Sequence, residues 1–464
     1  MNVNALVFDL GDAMVSRPRV RVAPVVVEAG EDSVTGVAGV ALWGPLLDRL
    51  GLIDVADRRE LRPIGPGGYS GGPCYRALVE LQLAGGDFVS DRALLADEAT
   101  IRLRGGHGLP SVSTLCRFLG GADLGRVAKA GAVNRTLLGR AWSLGAGPAP
   151  GVVTIDVDAT FMNTYGPTKE GAAFHYSHEI GLSPLLGVCG ETGDVLAVRA
   201  RGGAAYVGRA LGSFLTECVA AIPAPVRARS QLWFRSDSAG FNREFVDAAT
   251  RHDALFSVTA RQLPPVRARI EAVAADPATV WHPALDSDDE VADTTVTLGR
   301  RGNLLTMRMI VRRQRTHAGE QLSFDDLDGW RFQGVATNLP AWLATAADVE
   351  HHHRRRGGAP EDAIRQLKHD FGLNHAPVAN FFGNWLWWHA AALAYNTARW
   401  LRVLALPAAF TTCRGKRLRL SFLNVPARVI TTGRRLVLRL PRNYAHLNAF
   451  IEALTRIRAL PAYA

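Results

Sequence analysis

The sequence lacks the features of a secreted or membrane-spanning protein. No two of its cysteines form a CxxC pair, and no uninterrupted apolar run reaches the roughly 18 residues that a membrane span needs. The apolar stretch near the N-terminus has no basic flank of the kind that precedes a signal-peptide core. These absences argue against a disulfide framework and a cysteine metal site. We therefore expect a cytoplasmic protein with no membrane partner. The cysteines are Cys74, Cys116, Cys189, Cys218 and Cys413.

Acidic residues are almost absent from the last part of the chain. The 464 residues carry a formal charge of +10, but residues 394–464 contain 13 Lys or Arg and a single acid, Glu452. The rest of the chain is therefore close to neutral. A basic block on a neutral body predicts a polyanionic partner, of which nucleic acid is the best candidate. The alternative is an Arg-rich surface without a partner.

Hydrophobic periodicity divides the chain into five segments. The first is rich in glycine and loops with short helical patterns, and the second alternates strands and helices. The third has strands of period two, the fourth is helical, and the fifth is short, basic and mixed. Strand, strand, strand, helix, strand, helix, strand in the second segment is the order of a ribonuclease H-like α/β core, which the third segment interrupts as a β-rich insertion. The segments are 1–150, 151–261, 262–345, 346–410 and 411–464.

Two aspartates lie one residue apart at the end of the first strand of this core. Residues 154–160 are TIDVDAT, and the alternation of a strand places Asp156 and Asp158 on the same face. One interpretation is the nucleophile and acid/base pair of a haloacid dehalogenase-type phosphatase. The other is the first carboxylate of a two-metal nuclease or transposase. The rest of the sequence has to distinguish them.

Two further acids fit the second interpretation. Asp237 ends the strand LWFRSDS, and Glu361 opens the helical pattern PEDAIRQLKHDF, in which Arg365 and Lys368 follow on the same polar stripe. Carboxylates at adjacent strand ends suit two hard cations about 4 Å apart. Positively charged side chains beside these carboxylates could bind the phosphate backbone of DNA.

Several motifs in one order carry a family resemblance. IDVDAT, KEGAAFHYSHEIGLSPLLG, FRSDSAGF, PEDAIRQLKHDFG, LAYNTARWLR and RRLVLRLP together resemble bacterial insertion-sequence transposases of the DDE group 1 type, from about residue 85 to 464. The resemblance implies a ribonuclease H-like domain that cleaves transposon ends and transfers them into target DNA with two Mg²⁺ ions, for which Mn²⁺ can substitute. It places the acidic triad at Asp158, Asp237 and Glu361, with Asp156 as a further metal ligand or support.

The resemblance also implies partners and a location. We expect binding to inverted-repeat ends and target DNA, a homodimer on paired ends, and association with the bacterial nucleoid. Residues 1–150 are expected to bind the DNA ends. Groove contacts that select the sequence are expected there and in the insertion.

One signature of related transposases matches only in part. The pattern Tyr-two-Arg-three-Glu-six-Lys around the last acid places its lysine at Lys368, but its arginine position is Gly357 and its tyrosine position is Arg354. The nearest arginine, Arg356, lies one residue before the arginine position of the signature. This departure keeps open a third alternative, a non-catalytic DNA-binding derivative of a transposase.

Basic residues near the acids are predicted to contact DNA phosphates. The set is Lys368, Arg365, Arg356, Arg355, Lys169 and Arg312. Three tryptophans in the long apolar helix of the fourth segment are interpreted as core rather than as a base-stacking platform. They are Trp385, Trp387 and Trp388.

Overall fold

The computed structural model describes most of the chain. The described residues are 33–62, 68–164, 168–175, 178–206, 208–300, 303–316, 326–327, 329–433 and 435–463. The N-terminal apolar stretch discussed above lies outside them. Residues 317–325 of the third segment also lie outside them.

A large mixed β-sheet forms the centre of the described structure, and two small sheets lie beside it. The strands are β1 (Val34–Thr35), β2 (Gly151–Ala159), β3 (Met162–Asn163), β4 (Ala173–Phe174), β5 (Ile180–Leu182), β6 (Leu185–Cys189), β7 (Val195–Arg199), β8 (Ser230–Ser236), β9 (Leu255–Thr259), β10 (His282–Pro283), β11 (Glu290–Arg300), β12 (Asn303–Arg315), β13 (Asp326–Leu327), β14 (Trp330–Thr337), β15 (Ala427–Thr432) and β16 (Arg435–Arg439).

Helices cover this sheet and form most of the N-terminal region. They are α1 (Val40–Arg49), α2 (Leu52–Arg58), α3 (Gly71–Ala84), α4 (Glu98–Leu103), α5 (Val112–Gly120), α6 (Leu124–Ala141), α7 (Leu211–Ala221), α8 (Ala224–Arg227), α9 (Arg243–Arg251), α10 (Pro264–Ala275), α11 (Ala346–Arg354), α12 (Ala359–Asp370), α13 (Phe381–Leu404), α14 (Gly415–Leu418) and α15 (Leu447–Ala459).

Strand β2 lies at the middle of a five-stranded part of the sheet, in the order β9-β8-β2-β6-β7. β8 runs parallel to β2 and β9 parallel to β8, whereas β6 is antiparallel to β2 and β7 antiparallel to β6. Val153, Ile155 and Val157 of β2 are fully buried, as expected for a central strand covered on both faces. The carboxyl end of β2, which includes Asp158, therefore lies at an edge of the core.

The third segment continues the central sheet rather than forming a sheet of its own. β14 pairs antiparallel with β9, and β12, β11 and β10 follow outward in that order. The edge strand of the five-stranded part is therefore covered, which removes an exposed row of unpaired backbone groups. The predicted α/β class and the period-two strands of this segment are both present.

Helix α13 is buried almost all round and organises the helical half of the molecule. It packs against α3 and α6 of the N-terminal region and against β7 of the sheet. Trp387 and Trp388 are fully buried, and their indole nitrogens donate to the backbone oxygens of Gly372 and His375. A helix that is buried on nearly every side belongs in a core, so Trp387 and Trp388 lie in the core as interpreted, whereas Trp385 is half-buried and packs against that core. No helix in the described ranges combines the length and apolar character that crossing a membrane requires.

The two ends of the described chain meet in a small sheet. β1 pairs with β15, and β15 pairs with β16, which is the outer strand. Residues 411–464 are therefore attached to the N-terminal region through backbone hydrogen bonds. The buried side chains of both regions belong to one continuous hydrophobic core.

Candidate active site

Asp158 and Asp237 leave neighbouring strands at the same level. In the parallel pair β2–β8, Val157 is opposite Ser236, and the next residue on each strand is the aspartate. Adjacent strands are about 4.8 Å apart, so the register brings the two carboxylates side by side. Asp158 Oδ1 accepts from the amide of Ala159 at 2.8 Å. Asp237 Oδ1 accepts from the amide of Ala239 at 2.9 Å and opens a short 3₁₀ turn.

Glu361 lies in the first turn of α12, which packs against β6 next to β2. Pro360 suits this first turn because its missing amide has no partner there in any case. The helix buries Leu367 and Phe371 and exposes Glu361, Arg365 and His369 at intervals of four residues. The catalytic acid predicted from the sequence therefore begins an exposed, otherwise basic stripe.

The charges of the three acids act on one another. Burial raises the pKa of Asp158 to about 6, and the negative charges of Asp237 and Glu361 add to this rise. Arg356 opposes it. Burial and like charges both disfavour the charged form of a carboxylate, so the folded protein disfavours the charge of Asp158.

Arg356 lies against this region although the sequence signature places its arginine one residue later. It belongs to the 3₁₀ turn Arg355–Gly357 that leads into α12, and its Nη2 is 4.0 Å from Asp158 Oδ2. The Nη1 of the same guanidinium is buried without a hydrogen-bond partner. An arginine one position before the signature's therefore lies beside the first predicted acid.

Three oxygen-donor carboxylates suit a hard cation such as Mg²⁺. Such an ion would also stabilise the charged form of Asp158, which burial disfavours. Within the described residues, no three His, Cys, Asp or Glu side chains are already close enough together to hold a metal ion. The donor set thus fits in chemistry but not yet in position. Its side chains are not drawn together.

Of the two roles expected for Asp156, metal ligand or support, its contacts fit support. It is 3% exposed, and its two carboxylate oxygens accept from Nε and Nη2 of Arg235 at 2.7 Å each. Gly190 makes room for this pair, because a Cβ there would lie 2.9 Å from Asp156 Oδ2. A carboxylate used in a buried bidentate ion pair has no oxygen free for an ion or for nucleophilic attack. The structure therefore argues against the expectation that Asp156 ligates metal.

The sequence analysis missed Arg235 as the partner of Asp156. A signal was present, since Arg235 stands two residues before Asp237 and so shares its face of β8. Arg235 also donates to the backbone oxygen of His352 in α11. The buried pair therefore connects β2, β8 and the helix that precedes the Arg356 turn.

Two lysines of the predicted set lie at the margins of the site. Lys368 Nζ donates to the backbone oxygen of Phe161 at 3.0 Å, so it connects α12 to the segment after Asp158. Burial lowers the pKa of Lys368 and that of Lys169. The neighbour of Lys169, Glu170, accepts from the amide of Phe381 at the start of α13.

Arg365 lies on a basic groove that extends from α12 to α14. The groove has a volume of about 670 Å³, and Arg414, Lys416 and Arg417 contribute to its wall. Asp362 pairs with Arg365, and Arg414 Nε is 3.0 Å from the same carboxylate. Sequence reasoning recognised the basic tail but not these positions, because their proximity to α12 arises only from tertiary packing.

Arg355 and Arg312 have other surroundings. Arg355 is exposed and lines a cleft with Arg235 and Arg399 near the start of β2. Arg312, in the insertion, pairs with Asp289 and lies 3.5 Å from Glu350. This pairing is a structural use of the guanidinium, and Arg312 is not part of the DNA-contacting set proposed below.

Comparisons with known proteins agree with these observations at the level of family. The model of the family described as transposase DDE domain group 1 matches residues 32–462. No protein with a curated description matches the chain. Among solved structures, the fold is similar to a piggyBac transposase seen by cryo-electron microscopy in a synaptic complex with hairpin DNA. That match has a TM-score of 0.38 and 10% identity, over 77% of this chain and 74% of that chain. Since the family model spans nearly the whole sequence, the chain belongs to the transposase DDE domain group 1 family.

Proposed function

We propose that this protein is a DNA transposase that cuts the inverted-repeat ends of a transposon and joins them to target DNA. Asp158, Asp237 and Glu361 are its catalytic acids. The observation that carries this assignment is the register of β2 and β8, which places Asp158 and Asp237 at neighbouring strand ends, with Arg356 of the turn before the Glu361 helix 4.0 Å from Asp158. Membership of the family supports the same conclusion.

The core that holds the acids is assigned as ribonuclease H-like. Support comes from the strand order β9-β8-β2-β6-β7 with only the β2–β6 and β6–β7 pairs antiparallel. The first acid then ends the central strand, the second ends the parallel neighbour, and the third stands on a helix beside the sheet. The insertion separates the second and third acids in sequence.

The three acids are the groups that would hold two divalent ions, Mg²⁺ or in its place Mn²⁺. When bound, such ions activate the attacking water or hydroxyl and stabilise the leaving oxygen of an in-line displacement. Asp158 and Asp237 each have one oxygen fixed by a backbone amide, which leaves the other oxygen to coordinate an ion. Asp156 and Arg235 hold β2 and β8 in register beneath them.

The cations beside the acids would hold the DNA strand. Arg356 lies beside Asp158, with Nη2 4.0 Å from Oδ2, and Lys368, two turns after Glu361, donates to the backbone oxygen of Phe161 in the segment after β2. From Glu361 the exposed stripe of α12 continues through Arg365 into the groove of Arg414, Lys416 and Arg417. Contacts of this kind position a strand through its phosphates without selecting a sequence. A homodimer on paired ends remains part of the proposal.

The phosphatase alternative loses support from the position of its nucleophile. A haloacid dehalogenase-type enzyme would attack with Asp156, but both oxygens of this side chain are bonded to Arg235 and the side chain is 3% exposed. The alternative of a non-catalytic DNA-binding derivative is an outcome that the experiment below can give.

A cleavage assay tests the proposal directly. Purified protein is incubated with Mg²⁺ or Mn²⁺ and labelled duplexes that carry the flanking element ends, and nicking is followed on denaturing gels. Asp158→Asn, Asp237→Asn and Glu361→Gln should each lower the cleavage rate about a thousandfold or more, because metal-assisted charge stabilisation is worth several kcal/mol. DNA affinity should stay within about threefold, since neutralising an acid removes no phosphate contact.

The matched control is Glu244→Gln on α9, which removes a carboxylate outside the proposed site and should cleave like the wild type. Cleavage that survives any one of the three substitutions would remove that residue from the site. Tight DNA binding with no cleavage by the wild type under either metal would instead favour the non-catalytic derivative.

A further inference from the structure

The last turn of helix α11 contains three consecutive histidines, and each contacts a different part of the molecule. His351 lies toward the insertion, with its Nδ1 3.5 Å from Asp286 Oδ2. The ring of His352 stacks on Trp233 of β8, with centroids 3.7 Å apart. His353 is only 7% exposed and contacts β9. The three rings therefore serve separate contacts, of which that of His353 is the most enclosed.

His353 joins the end of α11 to strand β9 through both of its ring nitrogens. Nδ1 is 3.1 Å from Ser257 Oγ, and Nε2 is 3.0 Å from Thr259 Oγ1. Burial, together with the charges of Arg356 and Arg235, lowers the pKa of His353 to about 3, so the ring is neutral near pH 7. A neutral imidazole has one donor and one acceptor, and a hydroxyl can complement either. Both nitrogens are therefore used to hold the helix to the sheet.

One of these hydroxyls lies at the level of the second proposed acid. In the parallel pair β8–β9, Ser236 is opposite Val258. The next residues of the two segments are Asp237 and Thr259, and neighbouring strands are about 4.8 Å apart. The hydrogen bond between His353 and Thr259 therefore attaches α11 to the sheet close to the end that carries the proposed acids.

The chain runs from this attachment directly into the turn that carries Arg356. Two residues separate His353 from Arg356, whose Nη2 is 4.0 Å from Asp158 Oδ2. None of the three residues of the turn is buried, so burial of its own side chains contributes little to its position. Arg235 donates to the backbone oxygen of His352 and holds the same end of α11 on β8. The position of the turn therefore depends on the residues that precede it.

We propose that His353 is a positioning residue for strand cleavage, which holds Arg356 beside the acids by bonding the end of α11 to β9. This inference rests on the proposed function, because Arg356 is there proposed to hold the DNA strand. Hydroxyl partners suit the role, since they fix the ring without adding charge near Asp158. Loss of the two bonds frees the end of α11 to move, and a misplacement of about 1 Å can cost on the order of a hundredfold in rate.

Single-turnover cleavage of a labelled duplex that carries an element end tests this role, because its rate constant does not depend on the fraction of active protein. His353→Phe keeps a ring but removes both bonds, whereas Thr259→Val removes one hydroxyl at nearly constant shape. We expect the rate constant to fall about thirtyfold in the first variant and about fivefold in the second, as for small misplacements. DNA affinity should change less than about threefold, since at most one phosphate contact is weakened.

The matched control is His351→Phe, which makes the same change two residues earlier, on the side of α11 that lies toward the insertion. This variant should cleave like the wild type, because His351 does not bond α11 to β9. A loss equal to that of His353→Phe would mean that any change at this end of α11 slows cleavage, and it would overturn the specific role of His353.

A double-mutant cycle distinguishes positioning of Arg356 from a general loss of structure. If His353 acts through Arg356, His353→Phe/Arg356→Gln should cleave no more than about twofold slower than Arg356→Gln alone, whereas independent contributions would multiply. Where His353→Phe does not fold, Thr259→Val combined with Arg356→Gln gives the same test. Multiplied losses, or a wild-type rate in the variants that remove the bonds, would overturn the proposal. The proposed function fails differently, by absence of metal-dependent cleavage in the wild type.

Discussion

The insertion and the C-terminal block are both rich in arginine, but they use it differently. In the insertion, Arg308 pairs with Asp293, Arg312 with Asp289 and Arg313 with Glu290. Arg313 also lies over the rings of Trp281 and Trp330, 4.0 and 4.6 Å from their centroids. In the C-terminal block, only Glu452 offers a side-chain acid within the segment. Arginine in the first region stabilises the fold. In the second region Arg399, Arg414 and Arg456 also pair with acids, but the exposed Lys416 and Arg417 line the basic groove, where a polyanion can reach them.

The same contrast recurs within the catalytic core, between two aspartates that are neighbours on one strand. Asp156 is enclosed and paired with Arg235, whereas Asp158 lies among acids with Arg356 only at 4.0 Å. A group whose charge is already compensated serves the fold. A group whose charge is left uncompensated points to a ligand. The predictions below test this distinction by separating stability from DNA binding.

Loss of Asp156 should have the largest effect on stability. Asp156→Ala leaves Arg235, 4% exposed, without its carboxylate, and removing one partner of a buried pair costs about 4 kcal/mol. Chemical denaturation with urea measures the free energy of unfolding. A loss below about 1 kcal/mol would mean that the pair does not hold β2 and β8 together.

Loss of Asp289 should destabilise the insertion by about 2 kcal/mol, at the lower end for a buried ion pair because Arg312 keeps Glu350 as a second partner. DNA affinity of the folded variant should not change. The matched control is Asp288→Ala, since Asp288 is the exposed neighbour of Asp289. Its free energy of unfolding should stay within about 0.5 kcal/mol of the wild type. Weaker DNA binding by Asp289→Ala would contradict the view that the arginines of the insertion serve the fold and not DNA binding.

The basic groove should behave in the opposite way. Lys416→Gln/Arg417→Gln removes two exposed cations beside α12 and should weaken duplex binding about tenfold while leaving the free energy of unfolding within about 0.5 kcal/mol. Fluorescence anisotropy and urea denaturation provide the two readouts. A loss of stability with unchanged binding would assign the groove to the fold.

The smallest expected effect is a gain in the free energy of unfolding, whereas most substitutions lower it. Asp158→Asn should raise the free energy of unfolding of the metal-free protein by about 1 kcal/mol at pH 7, because the folded state raises the pKa of this carboxyl to about 6 and so disfavours its charge. The gain should shrink as the pH falls from 7 to 4, since folded wild type takes up the proton below pH 6. Denaturation in EDTA at both pH values measures it. A destabilised variant at pH 7 would contradict the assigned electrostatics.

Much of this arrangement could be predicted from the sequence, because it depends on local pattern. Apolar alternation located β2 and the strands of the insertion, and an acid after a proline located the start of α12. Partners across the sheet could not be predicted in the same way. The local pattern of apolar and polar residues does not distinguish Asp156 from Asp158. Arg235 contacts Asp156 only because β2 pairs with β8. Likewise, Arg356 is out of step in sequence, but the 3₁₀ turn before α12 directs it to Asp158.

Local sequence pattern also could not show that the strands of the insertion extend the central sheet. Its strands were predicted as a module between two parts of the core, but pairing of β14 with β9 joins both into one sheet. Basic composition alone likewise favoured Arg312 as a DNA contact. Its acidic partners come from the preceding loop and from α11, and tertiary structure is needed to bring them together.

The most direct test of the central claim is a crystal structure of the protein with Mn²⁺ and a duplex carrying an element end, with the ions located by anomalous scattering. We predict two anomalous peaks held by the carboxylates of Asp158, Asp237 and Glu361 beside a backbone phosphate, with Asp156 still paired to Arg235. Peaks elsewhere, or ions held by Asp156 in place of Asp158, would contradict the account.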